Sequence, residues 1–371
     1  MKRAGRRKVA AFTLLELLLA LGIFAFLVLA LFQILDRSLS LWRRAETRRG
    51  LLAQASSLSE LLARDLAGLD GGSRGDFLAE WVAFDTDGDG VEDTKWPRLR
   101  FVRQASAADV LRLPGEREAA PERPEGVTSL PRSESGRTEV IWLVVPASLT
   151  DRDARAEGVV WRGERAISDT STKSFFAPDF IGRSNRPPAG AVEEVGGGLL
   201  WLGVLFATQT SIVHDEWRLA TDPDCLDCAA TSWDAWNRER PDRQIHAWNE
   251  PGAGMPKARG RPLLPRRVRF EMELERPIDR LRRTTLAEAT EIGEAAIVVD
   301  DPQRIPREEG AYVLVDTEWM QVLSVSGTSV AVKRGQRGTK SVGHAAGAMV
   351  HYGLRLLREI PISTYREDWN L

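Results

Sequence analysis

Four aspartates in one short stretch, Asp85, Asp87, Asp89 and Asp93, are the densest set of candidate ligands in the chain. They lie in DTDGDGVED, where alternate residues of a tight turn aim successive carboxylates at one point and Gly90 supplies the bend. Calcium, a hard cation that prefers many oxygen ligands, is the ion such a loop would hold. The twelfth position counted from Asp85 is Trp96, not the bidentate glutamate of an EF-hand, so Asp93 would close a shorter loop. The role would be structural, pinning a loop. A solvated acidic turn between two strands is the alternative.

Cys225 and Cys228 have redox-motif spacing, but the surrounding TDPDCLDCAATSWDAW reads as a loop and lacks a βα context. As the only cysteines they cannot build a four-cysteine zinc site. In an oxidising compartment a small-loop disulfide is the expected state, with free thiols the other possibility. The four histidines, His214, His246, His344 and His351, are far apart in sequence. His344 falls in a glycine-rich corner, where a hydrogen-bonded turn histidine is expected. Gly196-Gly197-Gly198 lacks the lysine and following helix of a phosphate loop, and no G-x-S-x-G turn occurs. No catalytic constellation emerges, so no enzyme activity and no cofactor beyond the calcium is expected.

Composition points the same way. The 371 residues are 43% hydrophobic and 28% charged, with a formal charge of -2, which gives no reason to expect nucleic acid as a partner. Twelve tryptophans stand against three tyrosines, several in strand-like runs where they would serve as core.

The elements that position everything else begin at the N-terminus. Lys2, Arg3, Arg6, Arg7 and Lys8 form a basic head without an acid. The run 12–35, FTLLELLLALGIFAFLVLALFQIL, carries only one charge, Glu16. As a helix it would be about 36 Å long, enough to cross a ~30 Å hydrocarbon core. The basic head predicts a cytoplasmic N-terminus and a periplasmic remainder; Arg37, Arg43, Arg44, Arg48 and Arg49 on the far side oppose that orientation. Three readings compete. A plain anchor leaves Glu16 as an unexplained cost of roughly 2–3 kcal/mol or more. A secretory signal cleaved after Ala30 would have too long an apolar region, with an acid inside it. The third is a prepilin-type signal.

AFTLLELLLALGIFAFLVLALFQ resembles the N-terminus of type IV pilins and type II secretion pseudopilins, and its LALGIFA stretch is most similar to J-type minor pseudopilins. The resemblance implies cleavage between Ala11 and Phe12 by a prepilin peptidase and N-methylation of Phe12. It also makes Glu16 the acid at the fifth mature position, which meets the N-terminal amine of a neighbouring subunit during assembly. That pairing has a physical basis, since opposite charges attract strongly where the dielectric is low and an unpaired one is penalised. The family usually has glycine before the cleaved bond; Ala11 stands here.

Apolar residues at Leu39, Leu51, Leu52, Leu58, Leu61, Leu62 and Leu66 continue the helical period, so the spacing predicts one stem helix over 12–67. Its 12–35 part would be transmembrane and its 36–70 part amphipathic; a break near Gly50 is the alternative. Strand-like runs follow at 77–84, 99–103, 140–145, 158–161, 199–207 and 266–275, with 104–138 and 182–198 reading as surface loops. Residues 286–352 read as a small β-module with strands at 313–315, 318–325 and 329–333. Its EWMQV…RGQRGT sequence resembles small β-modules of phage and envelope structural proteins. Because 354–357 and 360–363 return to strand, the module would be inserted, not appended.

The expected architecture is α+β: a leader 1–11, the stem helix, a pilin-like β domain over 76–285, the module, and a C-terminal strand and tail over 353–371. The expected function is a minor pseudopilin or pilin-like subunit in the inner membrane. Expected partners are other pseudopilins or minor pilins, prepilin peptidase, an inner-membrane assembly platform and membrane lipid. The alternative is a single-pass, membrane-anchored periplasmic binding protein that does not polymerise.

Overall fold

The computed structural model describes residues 14–86, 90, 92, 94–104, 136–147, 157–167, 172–177, 180, 190–207, 231–236, 260–275, 283–308 and 310–364. The architecture is α+β: one long helix and antiparallel sheets. Two compact units divide at Leu52/Ala53, inside the helix.

Helix α1 spans Leu14–Ala67 without interruption at Gly50. Its character changes along its length. From Ala53 onward it is amphipathic: Ala55, Leu58, Leu62, Ala63 and Leu66 are buried at three- and four-residue steps, whereas Ser56, Ser57, Glu60 and Arg64 face solvent. Leu52, expected on the buried face, is exposed. The helix stops where Gly68 and Leu69 leave the helical path. The Asp70 N–H donates to the Val102 carbonyl at 3.0 Å, and the Gln104 N–H donates to the Gly68 carbonyl at 2.8 Å.

The strands are β1 (Phe77–Phe84), β2 (Thr94–Gln104), β3 (Arg137–Pro146), β4 (Gly158–Ala166), β5 (Glu193–Ala207), β6 (Trp233–Asp234) and β7 (Arg267–Leu274). A second set follows: β8 (Thr284–Thr285), β9 (Ala296–Val298), β10 (Tyr312–Val315), β11 (Glu318–Ser326), β12 (Ser329–Gln336) and β13 (Met349–His351), with β14 (Leu354–Pro361) last. The larger sheet runs β14-β7-β5-β4-β3-β2-β1-β6, and the smaller runs β8-β13-β10-β11-β12-β9. The smaller sheet therefore lies in the chain between two neighbouring strands of the larger one. Its core is aliphatic: Leu286, Ile297, Val313, Val315, Met320, Val330, Val332 and Val350. The tight Asp316-Thr317 turn that joins β10 to β11 places Asp316 at φ 50.

One expected loop is a strand. Residues 193–198, the end of the polar, proline-rich stretch 182–198 expected as surface loop, form the start of β5, with Gly196 opposite Val160 and Glu194 opposite Trp161. The glycines serve a close approach. A Cβ on Gly196 would stand 3.2 Å from the Leu58 Cδ1 of the stem helix, and Gln54 Nε2 donates to the Gly197 carbonyl at 2.7 Å. Gly198 is left-handed (φ +70), and a Cβ there would fall 2.3 Å from the Glu275 carbonyl oxygen.

Candidate functional site

The apolar part of α1 is a membrane-crossing candidate. Leu17–Leu39 has a mean hydropathy of 2.8 and none of it is buried in the protein. Phe24, Phe26, Leu27, Phe32 and Ile34 are all exposed. A helix apolar on every side belongs in lipid or among other helices. Glu16 sits in the first turns of α1; its side chain, like Ala11 and Phe12, lies outside the described residues.

The amphipathic part is seated by a buried ion cluster. Asp65 is fully buried on the inward face, beside Leu62 and Leu66. Its carboxylate accepts from Trp142 Nε1 at 2.8 Å, Arg162 Nε at 2.7 Å and Arg162 Nη2 at 2.9 Å, and pairs with Arg103 at 3.4 Å. Glu164 completes the set, accepting from Arg103 Nη2 at 2.5 Å, Arg162 Nη2 at 2.7 Å and Thr138 Oγ1 at 3.0 Å. Two carboxylates thus balance two guanidiniums. Burial alone would raise the Glu164 carboxyl, but the charge of Arg162 and the hydrogen bonds from Arg103 outweigh it and hold the group below the usual range. Desolvation pulls Arg162 down, yet Asp65 and Glu164 more than compensate and raise it. Just past the helix, Asp70 accepts from Gly72 N at 2.9 Å and from Arg137 Nε. Those contacts hold it below the usual range against the opposing effect of burial.

Alternation along the strands puts Arg98 and Arg100 of β2, Glu139 of β3 and Arg165 of β4 on the opposite face. Arg100 donates to the Phe175 carbonyl at 3.1 Å and pairs with Glu80, and Glu139 accepts from Ser174 Oγ at 2.9 Å and Phe175 N at 2.8 Å.

The smaller sheet has its own buried corner. Glu318 accepts from Arg334 Nε at 2.8 Å, Arg334 Nη2 at 2.6 Å, Gly335 N at 2.8 Å and Val342 N at 3.0 Å. Burial would push this carboxyl up; the hydrogen bonds of Arg334, Val342, Gly335 and His344 together hold it below the usual range. His344 lies between Glu318 (3.1 Å) and Asp316 (2.8 Å), and it bridges to Thr290 in the backbone. The RGQRGT sequence is therefore a structural corner: Gly335, Arg337 and Gly338 all take left-handed φ.

Arg337 joins the two sheets. Its guanidinium lies 4.2 Å from the Tyr312 and Trp319 ring centroids and 5.2 Å from that of Trp201. It also donates to Glu273 at 2.8 Å and Glu271 at 2.5 Å on β7. The two acids respond differently. Deep burial raises the Glu273 carboxyl despite Arg337, whereas at Glu271 the charges and hydrogen bonds of Arg337 and Arg355 overcome burial and lower it. A second junction pairs Glu275 with Arg283 and with His351, the latter at 3.2 Å.

Of the expected ligands, Asp85 is placed, accepting from Gly90 N at 2.9 Å. Asp87, Asp89 and Asp93 lie outside the described residues, as do Cys225, Cys228, His214 and His246. Among the described residues no group of three or more His, Cys, Asp or Glu is arranged to hold a metal. His344 and His351 each face buried carboxylates. Sequence reading passed over Asp65 and Arg337. An acid on the leucine face of an amphipathic helix was the available signal for the first; none pointed to the second.

A family model described as the prokaryotic N-terminal methylation motif matches residues 6–32, overlapping the apolar span of α1. The match covers that N-terminal segment, so the chain carries a prepilin-type methylation motif on an apolar helix long enough for membrane anchoring. No curated protein and no solved structure matches the chain.

Proposed function

We propose that the chain is a minor subunit, J-like in kind, of a type II secretion or type IV pilus-like filament. The observation that carries this reading is the methylation motif at 6–32 on a helix whose apolar surface is uncovered over Leu17–Leu39. A helix of that kind has two environments available, lipid before assembly and the helices of other subunits after it. Cleavage before Phe12 would free an amine for pairing, and Glu16 would accept the amine of a neighbour. The small inserted sheet and the long strands favour a minor subunit, because bulk of this sort is hard to repeat along a dense filament. The basic head supports a cytoplasmic N-terminus with the β domain in the periplasm.

The test is mass spectrometry of the mature N-terminus in cells with an active prepilin peptidase, joined to crosslinking among prepilin-type proteins. An N-methylated Phe12 and crosslinks that vanish in Glu16→Val, with cleavage intact, are expected. An uncut chain, or crosslinks indifferent to Glu16→Val, would overturn the reading.

A further inference from the structure

Across the end of the apolar span and just beyond it, α1 carries a basic collar. Residues 36–49 hold five arginines, Arg37, Arg43, Arg44, Arg48 and Arg49, against two acids, Asp36 and Glu46. The chain as a whole has 51 basic and 53 acidic residues, so the excess is local. Arg48, Arg49 and Trp42 are exposed, Trp42 to 69%.

Depth comes from helix geometry. Trp42 follows Leu39, the end of the apolar span, by three residues, which places it ~5 Å farther along the axis. That is the depth of the headgroup layer, where an indole keeps its ring in an apolar setting and its N–H wet. Arg43 and Arg44 come next, and Arg37 lies in the last turn of the span, within reach of the same layer for a long side chain.

The depth identifies the occupant. At about 100° per residue, Arg37, Arg44 and Arg48 fall on one stripe, Arg49 and Arg43 are turned roughly 120° to either side, Asp36 lies near the Arg43 side and Glu46 opposite the stripe. Net charge is therefore greatest on the stripe, with further arginines on two other sides. At this height along the axis the headgroup layer surrounds the helix and offers phosphate to each of those positions.

We infer that residues 37–49 form a collar for anionic phospholipid headgroups, with arginines taking phosphate oxygens on those sides and Trp42 anchoring the interface. Guanidinium matches phosphate by paired N–H donors, so arginine is the suitable cation. The inference rests on Leu17–Leu39 crossing a membrane and does not require a filament.

The full chain, with the basic head neutralised as Lys2→Gln, Arg3→Gln, Arg6→Gln, Arg7→Gln and Lys8→Gln, is reconstituted in phosphatidylcholine vesicles. Spin-labelled phosphatidylglycerol or phosphatidylcholine is added, and the immobilised fraction of each is read by electron paramagnetic resonance. With the collar intact, phosphatidylglycerol is expected to be preferred severalfold, and salt should weaken the preference. Adding Arg43→Gln, Arg44→Gln, Arg48→Gln and Arg49→Gln should bring the ratio near parity. Parity with the collar intact, or a preference that survives its removal, overturns the inference. So does a collar variant that keeps its lipid ratio but loses crosslinks to another prepilin-type protein, which would assign the arginines to a protein. An alkaline carbonate wash reads the spanning helix separately. A chain released by it removes the basis of both proposals, whereas a retained chain without lipid preference defeats this one alone.

Discussion

The carboxylate of Asp65 and the indole of Trp142 are 77 residues apart in the chain and 2.8 Å apart in the fold. Asp65 stands near the end of the stem helix and Trp142 in the middle of β3, so the hydrogen bond fixes the helix by both rotation and height. Arg162 on the adjoining strand β4 holds the same carboxylate with two further bonds.

Asp65→Ala should be among the most destabilising changes in the β domain. It leaves Arg162 and Arg103 buried with one carboxylate between them, a loss of about 3–5 kcal/mol. Trp142→Phe keeps a smaller aromatic ring and loses the indole N–H with its one hydrogen bond to a charged group, about 1.5–3 kcal/mol. Urea unfolding of the full chain in detergent, followed by tryptophan fluorescence, should rank them in that order. Equal effects would mean that the ions contribute little.

Acid should loosen the domain. Glu164, Asp70, Glu271 and Glu318 are all held below the usual carboxylate range in the fold. A group lowered on folding contributes stability that is complete above its unfolded value and is lost as pH falls through its folded one. Unfolding free energy should therefore decline below about pH 4–5. Glu164→Gln should make that decline shallower. Glu273 is raised instead, so it contributes in the opposite sense, and Glu273→Gln should leave the acid limb no shallower.

Arg337 should control how firmly the small sheet is held. Arg337→Ala removes stacking on three aromatic rings and leaves Glu273 without its cation, about 3 kcal/mol or more together. Arg337→Lys should rescue little, because an ammonium reproduces neither the planar stacking nor the forked donors. Limited proteolysis within the small sheet should accelerate in both variants. A lysine variant as resistant as the parent would show that charge alone suffices.

Two neighbouring glycines should behave differently. Gly198→Ala meets a carbonyl oxygen at 2.3 Å in a left-handed conformation and should cost about 1–3 kcal/mol or more. Gly196→Ala meets the methyl ends of Leu58 at 3.2 and 3.3 Å, which can give way, and Gln54 Nε2 at an ordinary 3.5 Å, so its effect should be under about 1 kcal/mol. Melting temperatures of the two variants distinguish them directly.

Much of the fold was legible in short windows. The run 77–84 coincides with β1, and 318–325 differs from β11 by a single terminal residue. The period of leucines through Leu66 extended the helix past Gly50 to its observed end at Ala67. What failed was the glycine triplet at 196–198. Its composition favours a loop in any local reading, and only the approach of Leu58 and Gln54 explains glycine in a strand there.

The apolar run with its acid, the basic residues on both sides of it, and the two- and four-residue periods downstream were determined by the sequence itself. These are properties of residues within a few positions of each other, which hydrophobicity and backbone geometry translate directly into helix or strand. Which carboxylate meets which guanidinium was decided only by tertiary structure. Asp65 finds Arg162 across 97 residues and Arg337 finds Glu273 across 64. Such pairs exist because strand register and the seating of one helix bring buried charges to the same place, and nothing local to either residue specifies the other.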